Sequence, residues 1–304
     1  MKRGLRHYFS LLVICAASLS STAAAQQAPP AAEQTGKAPV KLDLAACIRV
    51  QKGKLPIIIS APHGGTREIP EVEARKGEGM EKGASGFFTG RDVGTEQLAL
   101  AVAAEVKKKF GREPWYVISR VHRKYIDFNR PSEIGFEDPD ARPVYEHYHG
   151  SIAEACREIA EEHRCGLLID IHGQGTSRST VYRGTRNGKT TELLQQRFGK
   201  SAQTGEQSLF GLLAARGWRV DPNPFDGKEQ AGFTGGFIVG TYGSHQQTAI
   251  DAVQLEFGAD YTNQEARQKT AVVLADALAA YAEKYLSEAE KAGQQSPGQQ
   301  SPGQ

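Results

Sequence analysis

Cysteine is scarce in this chain, four among 304 residues. Cys15 lies in an apolar N-terminal stretch. The remaining Cys47, Cys156 and Cys165 are odd in number, so an oxidising compartment would allow Cys156 and Cys165 to pair but would leave a thiol over. A charge excess of one sign is missing too: 37 basic residues meet 35 acidic ones, and the basic count includes Lys2, Arg3 and Arg6 of the N-terminal segment. That balance argues against a nucleic-acid partner. Beyond the N-terminus no apolar run approaches the roughly 20 residues needed to span a bilayer, and no Gly-x-Ser-x-Gly elbow supports a serine hydrolase.

What is present starts with punctuation at the ends. Residues 1–25 run from Lys2, Arg3 and Arg6 through the apolar Phe9–Ala17 stretch to Thr22-Ala23-Ala24-Ala25, the order of a secretory signal with cleavage expected after Ala25 and a periplasmic or secreted product. Residues 26–40, rich in Gln, Ala and Pro, read as a linker. Residues 287–304 end in a Gly-Gln-Gln-Ser-Pro repeat with no apolar residue to bury, a disordered tail. Residues 41–286 then suit one catalytic-sized α/β domain.

Within that span, short continuous apolar runs alternate with helical patterns. Leu55–Ser60, Gly166–Ile171 and Ala252–Phe257 read as strands covered on both faces, and Trp115–Ser119 and Tyr125–Phe128 as further strands. Helical periodicity is expected from Asp92, as N-cap, to Lys109, and over Val144–His163, Glu192–Phe198, Gln207–Arg216 and Asn263–Tyr285. Such alternation predicts a mainly parallel, mixed sheet flanked by helices, with the site outside the carboxyl ends of its strands.

Applying that rule brings His63, Asn129-Arg130, His172 and Glu256 to one sheet edge. A catalytic zinc takes three protein ligands from His and carboxylate and keeps a fourth position open. His63 and His172 supply two. Asp92 and Glu68 compete for the third; Asp92 is favoured because a helix terminus is a firmer platform than a loop, although it has the alternative of capping its own helix. Glu256 interrupts an apolar strand, a costly place for a carboxylate without a task, and suits the general base that moves a proton to the leaving nitrogen. Arg130, with Asn129, can hold a free substrate carboxylate, and Arg123 can stabilise an oxyanion. The glycine-rich stretch 232–245 precedes the Glu256 strand and can close over substrate, with Tyr242 and His245 as contacts. A rival reading is a non-catalytic exported protein that binds carboxylated ligands through its arginines.

The motifs Ser60-Ala61-Pro62-His63-Gly64-Gly65, Asp92-Val93-Gly94-Thr95, Ile126-Asp127-Phe128-Asn129-Arg130, Leu168-Ile169-Asp170-Ile171-His172-Gly173 and Gln254-Leu255-Glu256-Phe257 occur in an order that resembles the N-formylglutamate amidohydrolase family, itself similar to zinc carboxypeptidases and aspartoacylase. The resemblance covers about residues 55–285. It implies a three-layer, phosphorylase/hydrolase-like fold, zinc on His63 and His172, Glu256 as general base or acid, Asn129-Arg130 as carboxylate clamp and Arg123 as carbonyl contact. Related sites carry a Glu three residues after the first His. Thr66 stands there in this chain, so the third ligand stays open between Asp92 and Glu68. An exported chain of this kind is expected to act on a small molecule or peptide other than formylglutamate, one with an amide and a free carboxylate.

Overall fold

A computed structural model describes residues 41–83 and 86–287. The expected signal segment, the linker and all but the first residue of the expected tail lie outside the described residues.

The buried apolar runs form the centre of one mixed sheet of seven strands in the order β1-β3-β2-β4-β7-β5-β6. These are β1 Ile48–Gln51, β2 Ile57–Ala61, β3 Trp115–Ser119, β4 Gly166–Gly173, β5 Val181–Gly184, β6 Val220–Asp221 and β7 Ile250–Phe257. Strands β3, β2, β4 and β7 run parallel, while β1 and β5 pair antiparallel with β3 and β7. The parallel centre has both faces covered, which is why its strands read as unbroken apolar runs rather than as alternation.

Alternation reappears once the two faces are separated. Ile57, Ile59, Ile169, Ile171, Val253 and Leu255 meet Leu98, Val102, Leu213, Leu274 and Leu278 in one core. These come from helices Thr95–Phe110, Leu209–Ala214 and Arg267–Tyr281. Ile58, Leu168 and Ala252 meet Val144, Tyr148, Ile152 and Ile238 in the other, from helices Arg142–His163 and Phe237–Tyr242. The result is three layers, helix on sheet on helix.

Two expectations about elements are corrected. Tyr125–Phe128 is irregular backbone between two turns, not a strand. Its Asp127 carboxylate accepts the Asn129 amide and its Asp127 amide donates to Gly135 O, so side chain and loop take the bonds a ladder would need. Asp92 does not cap its helix: the helix starts at Thr95 with Gly94 as N-cap, and the Asp92 carboxylate points elsewhere. The pairing allowed for Cys156 and Cys165 does not form; Cys47, Cys156 and Cys165 are all free thiols, and Cys165 and Cys156 pack on opposite faces of the sheet. Among the described residues no helix is long and apolar enough to cross a membrane.

Candidate metal centre and active site

Strand order places the site. From β2 the chain moves to β3 on one side, then returns to β4 on the other. The crevice outside the carboxyl ends of β2 and β4 is therefore the point where the order reverses, the usual ligand position in open α/β sheets. His63 follows the end of β2, and His172 is the penultimate residue of β4. Glu256 lies directly beside His172 in the β4–β7 ladder.

Pleating then stacks polar groups in rows, because residues two apart in a strand share a face. Asp170 sits below His172 and accepts from its Nε2 at 2.8 Å. Gln254 sits below Glu256 and donates to Oε1 at 2.7 Å. Ser60, beside Asp170 in the ladder, donates to Asp170 Oδ1 at 2.7 Å, and Tyr148 OH lies 2.8 Å from Ser60 Oγ. All of these side chains share the face of Ile58 and Leu168, which turns polar only at the carboxyl edge.

The two histidines are arranged alike. His63 Nε2 lies 2.7 Å from Asp127 Oδ1, as His172 Nε2 lies against Asp170. An ionised carboxylate only accepts, so each Nε2 carries the hydrogen and each Nδ1 of a neutral ring presents its lone pair. Those two Nδ1 atoms converge on one oxygen: Asp92 Oδ2 is 3.4 Å from His63 Nδ1 and 3.2 Å from His172 Nδ1. His63 Nδ1 is buried and makes no hydrogen bond at that distance. Ligand atoms of His63, Asp92 and His172 all lie within 4.8 Å of one another. An orphaned imidazole nitrogen beside a second one and a carboxylate fits a divalent metal with nitrogen and oxygen ligands. Glu68 does not join this group; it is exposed and bonded to Tyr125 OH and Lys124 Nζ, each at 2.6 Å.

Asp92 is held in place from three directions. Its amide donates to His63 O, its carbonyl accepts from Thr95, and Oδ2 accepts the Gly173 amide at 3.1 Å. Gly64 lets the loop behind His63 close onto the same helix start, since a Cβ there would lie 2.2 Å from the Glu96 amide nitrogen. Arg123 grips Asp127 Oδ2 through Nε and Nη2 at 2.9 and 2.7 Å, while its Nη1 reaches to 3.7 Å from Asp92 Oδ1.

The charges respond as a coupled set. Burial alone would raise the Asp92 carboxyl, but the charge of His63 and the bond from His172 outweigh it and hold the group well below the usual range. Burial raises the Asp127 carboxyl too, but the charges of His63 and Arg123 outweigh it and hold Asp127 well below its usual value. His172 is pulled down by burial and lifted more by Asp170 and Asp92, ending well above an ordinary imidazole. Glu256 goes the other way: burial, only partly offset by His172 and reinforced by Asp92, pushes it up to about 7. A carboxyl poised near neutrality in a cleft is the property a proton carrier needs.

A cavity of about 600 Å³ opens above this edge. His63, Asp92, His172, Glu256, Arg123, Asn129 and Arg130 all line it. Tyr242 is not brought there: it is buried, and its hydroxyl is bonded to His149 Nδ1 and His149 O. Asn129 is held by its own bonds, Oδ1 accepting the Ile238 amide at 2.9 Å and Nδ2 donating to Gln254 at 3.4 Å. Sequence reasoning assigned no role to Asp127, Asp170, Gln254 or Arg186. For Asp170 and Gln254 the signal was available, a polar residue two before a site residue in an apolar strand. Arg186, which lines the cavity and donates to Gly236 O at 3.0 Å, carried no such signal.

Comparison with family models finds no match, and comparison with curated proteins finds none. Among solved structures, the chain is similar to an N-formylglutamate amidohydrolase from Ralstonia eutropha JMP134 at 14% identity and a TM-score of 0.47, covering 82% of this chain and 99% of that one. A gene product from Agrobacterium tumefaciens aligns at 16% identity and a TM-score of 0.45, covering 82% and 96%. The apo form of an N-acetylmuramyl-L-alanine amidase from Mycobacterium abscessus aligns at 12% identity and 0.33, covering 74% and 97%.

Proposed function

We propose that this chain is an exported zinc-dependent hydrolase that cleaves an amide bond in a substrate bearing a free carboxylate, an N-acyl amino acid or a peptide. The observation that carries the reading is the convergence of two buried imidazole Nδ1 atoms on one Asp92 oxygen while both Nε2 atoms are held by buried carboxylates. His63, Asp92 and His172 would hold the metal. Zinc bound there would supply Lewis acidity toward the amide carbonyl and toward water.

The chain's own residues supply the rest. Glu256, pushed up to about 7 by burial, takes a proton from water at Oε and returns it to the departing nitrogen. Gln254 holds Oε1 and so directs the second oxygen. Arg123, fixed by its fork on Asp127, keeps Nη1 near the Asp92 side of the cavity, where negative charge develops on the carbonyl oxygen. Arg130 and Arg186, both lining the cavity, favour a substrate carboxylate.

Elemental analysis of the purified chain, joined to a screen of N-acyl amino acids and cell-wall peptides, tests this. One zinc per chain is expected, lost in His172→Ala. Glu256→Gln should keep the metal and lose about 100-fold or more in kcat/KM. A zinc-free protein that hydrolyses none of these amides above background, with or without Glu256→Gln, would instead be a carboxylate-binding protein.

A further inference from the structure

A second hollow, of about 590 Å³, adjoins the first across the metal-ligand group. The two share Phe88, Asp92, Gly173, Gln174 and Gly175, so Asp92 and the Gly173 backbone form a low ridge between them. Their characters differ. The first side carries Arg123, Arg130, Arg186 and Glu256. The second is walled by Phe88, Val93, Phe257 and Ala259, with Asp92 its sole carboxylate and Arg91 and Arg267 at its polar margin. Phe88 and Val93, 42% and 68% exposed, are the exposed large hydrophobics of the described residues, and both border this hollow. Exposed apolar side chains gathered beside a polar site mark a surface that a ligand covers.

On the hydrolase reading above, we infer that this hollow is the acyl subsite and that the substrate's acyl group is a medium or long aliphatic chain. An amide lying over the ridge has its carboxylate-bearing amine portion on the arginine side and its acyl carbon pointing to the apolar side. Water adds across the C–N bond, its oxygen to the acyl carbon and its protons to the carboxyl product and the nitrogen. The fatty acid then occupies the Val93 side, and the amino acid the Arg130 side. A one-carbon or two-carbon acyl group would leave the apolar walls wet. Each buried methylene is worth roughly 0.8 kcal/mol, so each carbon seated there tightens binding by about threefold to fourfold.

The probes are N-acetyl-alanine and N-octanoyl-alanine, titrated calorimetrically into the zinc-loaded full chain carrying Glu256→Gln. The octanoyl compound is expected to bind at least about tenfold more tightly. In that background Ala259→Trp, which fills the hollow, should abolish the difference and leave acetyl binding in place. Val93→Lys, at an exposed position that does not support the core, should reduce it if the Trp variant fails to fold. Equal affinities for the two compounds would overturn the assignment, and that is the result expected if a segment of this chain or a second copy covers the hollow. Wild-type protein that hydrolyses neither compound, with the octanoyl preference intact, would remove the hydrolase reading and keep the hollow as an acyl-binding site.

Discussion

Asp251, at the start of β7, is buried at the end of the strand opposite to the site, and its hydrogen-bond partners are neutral donors, Ser244 Oγ at 2.7 Å and the Leu194 amide at 3.3 Å, with only a weaker pull from the Arg197 charge. Burial, only partly offset by those bonds, pushes its carboxyl up to about 6 from an ordinary 3.8. The folded state therefore holds this proton more tightly than the unfolded state does. Its contribution to stability is complete below the unfolded value and disappears as pH rises through the folded one, a loss of about 3 kcal/mol. Asp251→Asn cannot ionise. Urea unfolding at about pH 4 and about pH 8 should show the variant gaining on wild type by about 2–3 kcal/mol at the higher pH. A difference that stays constant between the two would mean that Asp251 is not held protonated. Legibility at this scale follows the same physics. His63, His172 and Glu256 could be read because polar residues in apolar runs need a reason. Asp127 could not be read in the same way, because its partners His63 and Arg123 come together only through the loop that replaces the expected strand.

Elements were most legible where burial on both faces leaves an unbroken signal. The sequence expectation for Trp115–Ser119 matches β3, and those for β2, β4 and β7 differ by a few terminal residues. β1, β5 and β6 were not anticipated, being four, four and two residues long and stabilised by neighbours distant in sequence. β5 illustrates what such an element rests on. Arg183, buried within it, donates through Nε to Glu229 at 3.0 Å, and the same carboxylate accepts the Thr185 amide, the Thr185 hydroxyl and the Asn187 amide. Glu229 thereby ties the segment that leads into Gly232–Gly236, a wall of the cavity, to the edge of the sheet. Breaking a buried pair from one side leaves an uncompensated charge, whereas replacing both partners with apolar groups does not. Glu229→Ala is expected to cost about 3–5 kcal/mol in denaturant unfolding, and Glu229→Leu combined with Arg183→Met much less. A double variant as unstable as the single one would show that the hydrogen bonds to Thr185 and Asn187, rather than the buried charge, govern this element.

For the whole molecule, the alternation of strand and helix was enough to fix the fold class, and the rule that sites lie at carboxyl edges was enough to find the cleft. Asp92 was favoured over Glu68 as the carboxylate beside the two histidines, and the structure seats it there through its amide bond to His63 O and its Oδ2 bond to the Gly173 amide, tertiary contacts that no local pattern records. Without protons on its imidazoles the site is unbalanced in charge. Asp92, Asp127, Asp170 and Glu256 are buried, and Arg75 and Arg123 are the buried guanidinium groups against them. With neutral imidazoles the carboxylates outnumber those cations, a state that a buried site avoids by binding protons or a cation. A divalent ion bound by the folded chain and not by the unfolded one stabilises it by about 4 kcal/mol at a thousandfold excess over Kd, less whatever zinc the freed Cys47, Cys156 and Cys165 bind on unfolding. For a domain of this size that corresponds to a rise in Tm of roughly 8–16 °C. A thermal scan with and without zinc should show the rise in wild type and its loss in Asp92→Asn. Asp170→Asn, which leaves all three ligands but weakens the hold on the His172 ring, should lower zinc affinity about 10-fold to 100-fold and therefore shift the rise to higher zinc concentration without abolishing it. An equal rise in wild type and Asp92→Asn would place the metal elsewhere, and with it the origin of the buried charge imbalance.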